Sequence, residues 1–307
     1  MSSLFETVIN SDNLNVLEDF VTPVTPYFIC NHFIATEINS YDYKYICYEL
    51  SLKSNDLLKN KNYDDIKHLD IIQVQVEQFD FFHDKILPII SEKNIQVIII
   101  TGQWHLPQIT RNDKTDNVLN SKNILLWISQ NPIYQDNEKY MAFPYGILHH
   151  KIKDYIDFVK SSDSKLIKNI RILNQCSVAH GHLPHNHIRK VYDIFGINSG
   201  PNLNYSEFLN NIAMSQFVIS TTGDREDCYR HYECIGLNAI PISNTSKLYM
   251  DIFEDNMIFS TPEEMVDMVN HRIVHNIYNP PNRDILTTSY WVSKINNRIS
   301  SLISKNM

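Results

Sequence analysis

The feature that most constrains this chain is a repeated alternation of two apolar patterns. Short, uninterrupted runs of β-branched and other apolar residues occupy 27–34, 71–76, 95–101, 124–129, 170–173, 217–221 and 239–242. A run without polar interruption suits a strand covered on both faces, as in a parallel sheet. Between the runs, 76–91, 150–159, 184–195, 206–214, 227–237 and 262–269 place apolar residues three or four apart, the period of a helix lying on a sheet. Strand and helix alternating in this way predict an α/β architecture with parallel sheets.

At 307 residues the chain exceeds one typical domain of roughly 100–200 residues. The rhythm pauses around 146–163 and then resumes, which predicts two Rossmann-like domains, 1–150 and 151–307. The stretch 284–304 carries Ile285, Val292, Ile295, Ile299 and Leu302 at helical spacing. It is expected to form an amphipathic helix that closes the second domain or crosses back to the first. A net charge of -8 argues against a general polyanion binder, so nucleic acid is not an expected partner. The five cysteines form no CxxC pair, and an odd number in apolar surroundings suits buried thiols in a reducing compartment. Residues 1–20 lack a basic segment followed by an apolar one, and no run reaches the length of a membrane span; a cytoplasmic protein is expected.

With only seven glycines, each is expected to meet a backbone need, and Gly102 and Gly223 directly follow strand-like runs. Ligands of open α/β sheets sit at these carboxyl ends. The segment 215–243 is the most informative. It reads as strand, loop, helix and strand, and its helix presents Arg230 and Glu233 on one face. On an ordinary helix that spacing gives a solvated ion pair of little energetic value. After a strand and the loop Thr221, Thr222, Gly223, the same pair gains a chemical reading. Backbone N–H groups of the loop would meet a diphosphate. Arg230, beside Tyr229, would neutralise it as it leaves, and Glu233, one turn further on, would accept hydrogen bonds from ribose hydroxyls.

The segment resembles the carboxyl-terminal domain of exostosin-like glycosyltransferases, in which a strand and a Ser/Gly loop precede Arg-x-x-Glu-Ala and then Gly-x-x-Pro-Val. Here the matching residues are 217–222, Gly223, Arg230, Glu233 and 238–242, with Asn238 where the family has glycine. Asparagine also adopts the left-handed conformation that ends a helix. Asp224, Glu226 and Asp227 depart further, because carboxylates in this loop would repel a diphosphate unless they point away or contact sugar hydroxyls. Two further stretches, 126–132 and 143–147, resemble the family's Gln/Asn-Pro turn and its Pro-x-Gly hinge.

The resemblance implies a GT-B fold, two Rossmann-like domains facing across a cleft. It also implies transfer of a sugar from a UDP- or GDP-linked donor to a glycan or other hydroxyl acceptor, with Gln130 and Asn131 on the acceptor side. No Asp-x-Asp triplet occurs, so neither a metal nor any other cofactor is implied. GxGxxG and GxxxxGK[ST] are also absent.

The histidine-rich run 180–187 offers imidazoles of the kind that bind Zn, Cu or Ni. Pro184 suits the first turn of a helix, however, and a loop before that helix is the preferred reading, with His180 or Arg189 touching the nucleotide. An inverting enzyme needs a general base near the acceptor hydroxyl. His105 is the candidate, with Trp104 as a platform for a sugar ring. Two rivals remain: a sugar pyruvyltransferase-like enzyme, and a catalytically silent glycosyltransferase-like module that binds a glycan or a partner protein.

Overall fold

A computed structural model of the chain describes residues 3–34, 63–102, 108–162, 167–175, 203–223 and 225–306. Among them, β1 (His32–Ile34), β2 (Ile71–Gln75), β3 (Val97–Gly102), β4 (Ile124–Ser129) and β5 (Tyr140–Ala142) form one sheet in that order. A second sheet runs β6 (Ile170–Leu173), β7 (Ser215–Ile219), β8 (Ile240–Ser243), β9 (Ile258–Phe259). Every pairing in both sheets is parallel. The helices used below are α1 (Leu4–Ile9), α2 (Asp113–Asn120), α3 (Ile152–Ser162), α4 (Tyr205–Ala213), α5 (Tyr229–Gly236), α6 (Pro262–His271) and α7 (Thr288–Asn306). The fold is α/β, with two Rossmann-like parallel sheets.

One compact unit comprises residues 21–144 and 288–307. All positions of β3 and β4 are buried, as uninterrupted apolar runs require. Beneath them Phe79 stacks on Trp127 with ring centroids 5.3 Å apart, and Tyr134 and Tyr140 meet Trp127 edge-on. The indole N–H donates to Thr101 Oγ1 at 2.9 Å, and that hydroxyl donates to Ser129 Oγ at 3.0 Å, so the polar atoms of these three side chains are paired. The helical stretch expected over 76–91 forms, with a π-helical turn at Phe82–Ile86. Pro88 follows one residue later, and having no N–H it cannot join the regular ladder one turn back.

The other unit comprises residues 1–20 and 145–287. The two chain ends are therefore exchanged relative to a division into contiguous halves at 150. At the carboxyl end, α7 places Trp291 edge-on against Phe143, 5.7 Å between centroids, so the helix crosses back to the first sheet. At the amino end, the Phe5 N–H donates to Asp284 Oδ1 at 2.8 Å, and Arg283 pairs with Glu6 at 3.0 Å while lying over the Phe5 ring.

The strands at 124–129 and 170–173 fall where the sequence predicts them. The run 27–34 does not form one strand: Pro26, early in the helical turn Thr25–Ile29, pre-sets a helical φ and leaves only β1 extended. β5 and β9, of three and two residues, and the helices α1 and α2 were not anticipated. The helix expected over 184–195 lies outside the described residues. Of the cysteines, Cys30, Cys228 and Cys234 are free thiols, Cys234 buried and the others half-buried. No helix among the described residues is long and apolar enough to cross a membrane.

Candidate functional site

The site begins where β7 ends. Ser220, Thr221 and Thr222 are buried as the chain leaves the strand. The Thr222 N–H donates to Asn244 Oδ1 at 3.0 Å, and Asn244 Nδ2 donates back to Thr222 Oγ1 at 3.1 Å. The Gly223 N–H donates to the Arg225 carbonyl at 3.0 Å. Two of the three amides expected to meet a diphosphate are thus engaged within the protein. At Gly223 an added Cβ would meet nothing within 4 Å, so the loop is open there.

Two of the loop carboxylates turn inward. Glu226 Oε2 accepts from the Ser246 N–H at 2.8 Å. Asp227 Oδ2 accepts from the Tyr145 N–H at 2.8 Å and from the Tyr232 hydroxyl at 2.6 Å, while the Arg225 guanidinium lies 4.4 Å from the Tyr145 ring centroid. Cys228 occupies the N-cap of α5 and makes no side-chain cap, while Asp227 before it is held by Tyr145 and Tyr232. Asp224 lies outside the described residues.

Helix α5 is fixed from three sides. The Tyr155 hydroxyl of α3 donates to the Glu233 carbonyl at 3.0 Å. Gly236 admits this approach, since a Cβ there would fall 2.0 Å from the Tyr155 hydroxyl. Asn238 takes the left-handed conformation, φ 56°, and the N–H groups of Asn238 and Ala239 close back on the carbonyls of Ile235 and Cys234. Beneath the helix, His231 Nε2 faces the Glu226 carbonyl at 3.2 Å, which places its proton there and leaves Nδ1 to accept from Ser220 at 2.7 Å. Burial lowers the His231 pKa to about 4, so the ring is neutral.

Arg230 and Glu233 both meet α4. Glu233 is only 1% exposed. One of its oxygens, Oε1, accepts from the Tyr205 hydroxyl at 2.6 Å, and Oε2 has no hydrogen-bond partner among the described residues. Burial pushes its pKa up to about 7, against the opposing pull of the Tyr205 hydrogen bond and Arg230. Burial and the adjacent carboxylate raise Tyr205 in turn, so it remains a hydroxyl donor. The Arg230 guanidinium lies 5.5 Å from the Phe208 ring centroid. Phe208 stacks on Tyr205, and the Lys151 ammonium sits 5.3 Å from the Tyr205 centroid. Two cations thus flank a stacked aromatic pair beside a buried carboxylate. A solvated ion pair does not describe this arrangement. Tyr229, by contrast, is 39% exposed.

On the other sheet, Gln130 and Asn131 are buried at the end of β4. Gln130 Nε2 donates to the Pro144 carbonyl at 3.2 Å and Asn131 Nδ2 to the Ile109 carbonyl at 3.3 Å. At Gly102 a Cβ would stand 2.7 Å from Gln130 Oε1, so a larger residue there must displace the Gln130 amide. Gly146, at φ 82°, meets a left-handed turn. Trp104, His105, His180 and Arg189 lie outside the described residues. Tyr205, Phe208, Lys151 and Asn244 join the site without any local sequence signal.

No protein-family model matches the chain, and no curated protein matches it in sequence. Among solved structures it is similar to one described as trehalose-6-phosphate from E. coli bound with UDP-2-fluoro glucose, at 11% identity and a TM-score of 0.41, covering 92% of this chain and 84% of that one. The OtsA apo structure gives the same values. The N-terminal domain of Candida albicans trehalose-6-phosphate phosphatase gives 11% and 0.37, covering 92% and 76%. Likeness at these scores carries no inference about activity, and the fold rests on the two sheets described above.

Proposed function

We propose that this chain is a metal-independent glycosyltransferase of the GT-B type, exostosin-like in its donor-binding half. It would move a sugar from a UDP- or GDP-linked donor to a glycan or other hydroxyl acceptor in the cytoplasm. The observation that carries this reading is Glu233: a buried carboxyl group with one oxygen lacking a partner among the described residues, one turn from Arg230 at the carboxyl end of a parallel strand. An unpartnered buried carboxylate oxygen is costly, and a ribose hydroxyl would satisfy it. Arg230 would then stand where negative charge grows on the leaving diphosphate as the glycosidic bond breaks. His180 and Arg189 would add contacts to the nucleotide. Trp104, Gln130 and Asn131 would serve the acceptor, and His105 would take its proton in an inverting reaction.

A second reading, a catalytically silent module binding a glycan or a partner protein, is favoured by the engaged amides of Thr222 and Gly223. Thermal melts without metal, with UDP, GDP, CMP and their sugars, separate the two. A donor at about 100 times its dissociation constant adds roughly 2.7 kcal/mol to the folded state. The enzyme reading expects one diphosphate to raise Tm in the wild type and to lose that effect in Arg230→Ala. No shift with any nucleotide would favour the silent module.

A further inference from the structure

A carboxylate facing a vicinal diol ordinarily offers one oxygen to each hydroxyl. In Glu233 the Tyr205 hydroxyl already competes for one of them, Oε1, at 2.6 Å, on a side chain only 1% exposed. Tyr205 is itself held firmly. Its ring is stacked on Phe208 and covered by the Lys151 ammonium. It opens α4 directly after Asn204, whose side chain and that of Glu207 form a reciprocal capping box. Oε2 is buried and without a partner among the described residues.

We infer that Tyr205 is a specificity-determining residue that makes Glu233 a reader of a single ribose hydroxyl, so that the donor site requires one of the 2′ and 3′ hydroxyls and is indifferent to the other. This rests on the proposed nucleotide-sugar reading of the site. The single contact survives a change of protonation. With Tyr205 donating to Oε1, any proton on the carboxyl group sits on Oε2, which accepts from a hydroxyl when ionised and donates to it when protonated.

The test is calorimetric titration of whichever diphosphate binds, UDP or GDP, with its 2′-deoxy and 3′-deoxy analogues, on the wild type and on Tyr205→Phe. In the wild type, one analogue is expected to bind about 10- to 100-fold more weakly and the other within about twofold of the parent, the effect of one lost hydrogen bond to a charged group. In Tyr205→Phe, Oε1 is released to the second hydroxyl, and the previously tolerated analogue is expected to become weaker than its parent as well. Equal loss with both analogues in the wild type, loss with neither, or an unchanged pattern in a folded Tyr205→Phe would overturn the inference while leaving nucleotide binding intact. If Tyr205→Phe does not fold, the wild-type comparison decides alone. Binding of no diphosphate at all would overturn the donor-site reading and this inference with it.

Discussion

Gly223 and Gly236 stand before and at the end of α5 and have opposite tolerances. A Cβ on Gly236 would fall 2.0 Å from the Tyr155 hydroxyl and 2.8 Å from Leu286 Cδ1. Neither can yield easily, since the hydroxyl is tied to the Glu233 carbonyl. Gly236→Ala is expected to cost about 1–3 kcal/mol in urea unfolding. Gly223→Ala meets open space and is expected to change stability by less than about 0.5 kcal/mol. If the loop borders a diphosphate, the same methyl group weakens nucleotide binding, so its thermal shift falls although its stability does not. The placement of Arg230 and Glu233 together on a helix was legible at this scale because their spacing follows a strand and a glycine. Tyr205 was not legible. It reaches Glu233 across 28 residues of sequence through the packing of α4 on α5, which no local pattern encodes.

Two of the buried titratable groups of helix α5, His231 and Glu233, have opposite linkage. Burial lowers His231 from 6.5 to about 4, so its contribution is present above pH 6.5 and is lost as pH falls towards 4. Burial raises Glu233 from 4.5 to about 7, so its contribution is present below pH 4.5 and is lost as pH rises through 7. Between pH 4.5 and 6.5 the two slopes oppose each other. Each spans on the order of 3 kcal/mol. Asp227, also pushed up by burial, adds the sign of Glu233. In denaturant titrations at pH 5, 6 and 7, Glu233→Gln is expected to grow more stable relative to the wild type as pH rises. His231→Gln is expected to lose ground over the same range. Parallel profiles for all three proteins would contradict the burial of these groups. At the scale of elements, the strands most legible in sequence were β4 and β6. β5 and β9 are too short to display a period at all.

The pause near residue 146 was legible because Gly146 and the turns around it interrupt both periods; the chain passes between units at 144/145. The assignment of the chain ends was not legible. An amphipathic helix announces an apolar face but not the surface that will cover it. In α7 that face includes Trp291, Ile295 and Leu302, all buried. Trp291→Ala is expected to destabilise the unit of residues 21–144 and 288–307 by about 3–5 kcal/mol, since it empties the site against Phe143. Hydrogen exchange would show the loss in β3 and β4 before β7 and β8. Equal loss in both sheets would contradict the assignment of α7 to one unit.

The exchange of chain ends also sets an order of assembly on the ribosome. After Pro144 has been made, the 143 residues 145–287 must follow before the first residue of α7. At about 5–20 residues per second this is a wait of roughly 7–30 s. Throughout that interval the first sheet to be synthesised lacks the helix that Phe143 packs against, while the unit built from 145–287 already has its partner segment, 1–20. The later-made sheet can therefore complete itself first, and the earlier one stays an apolar nascent surface of the kind chaperones bind.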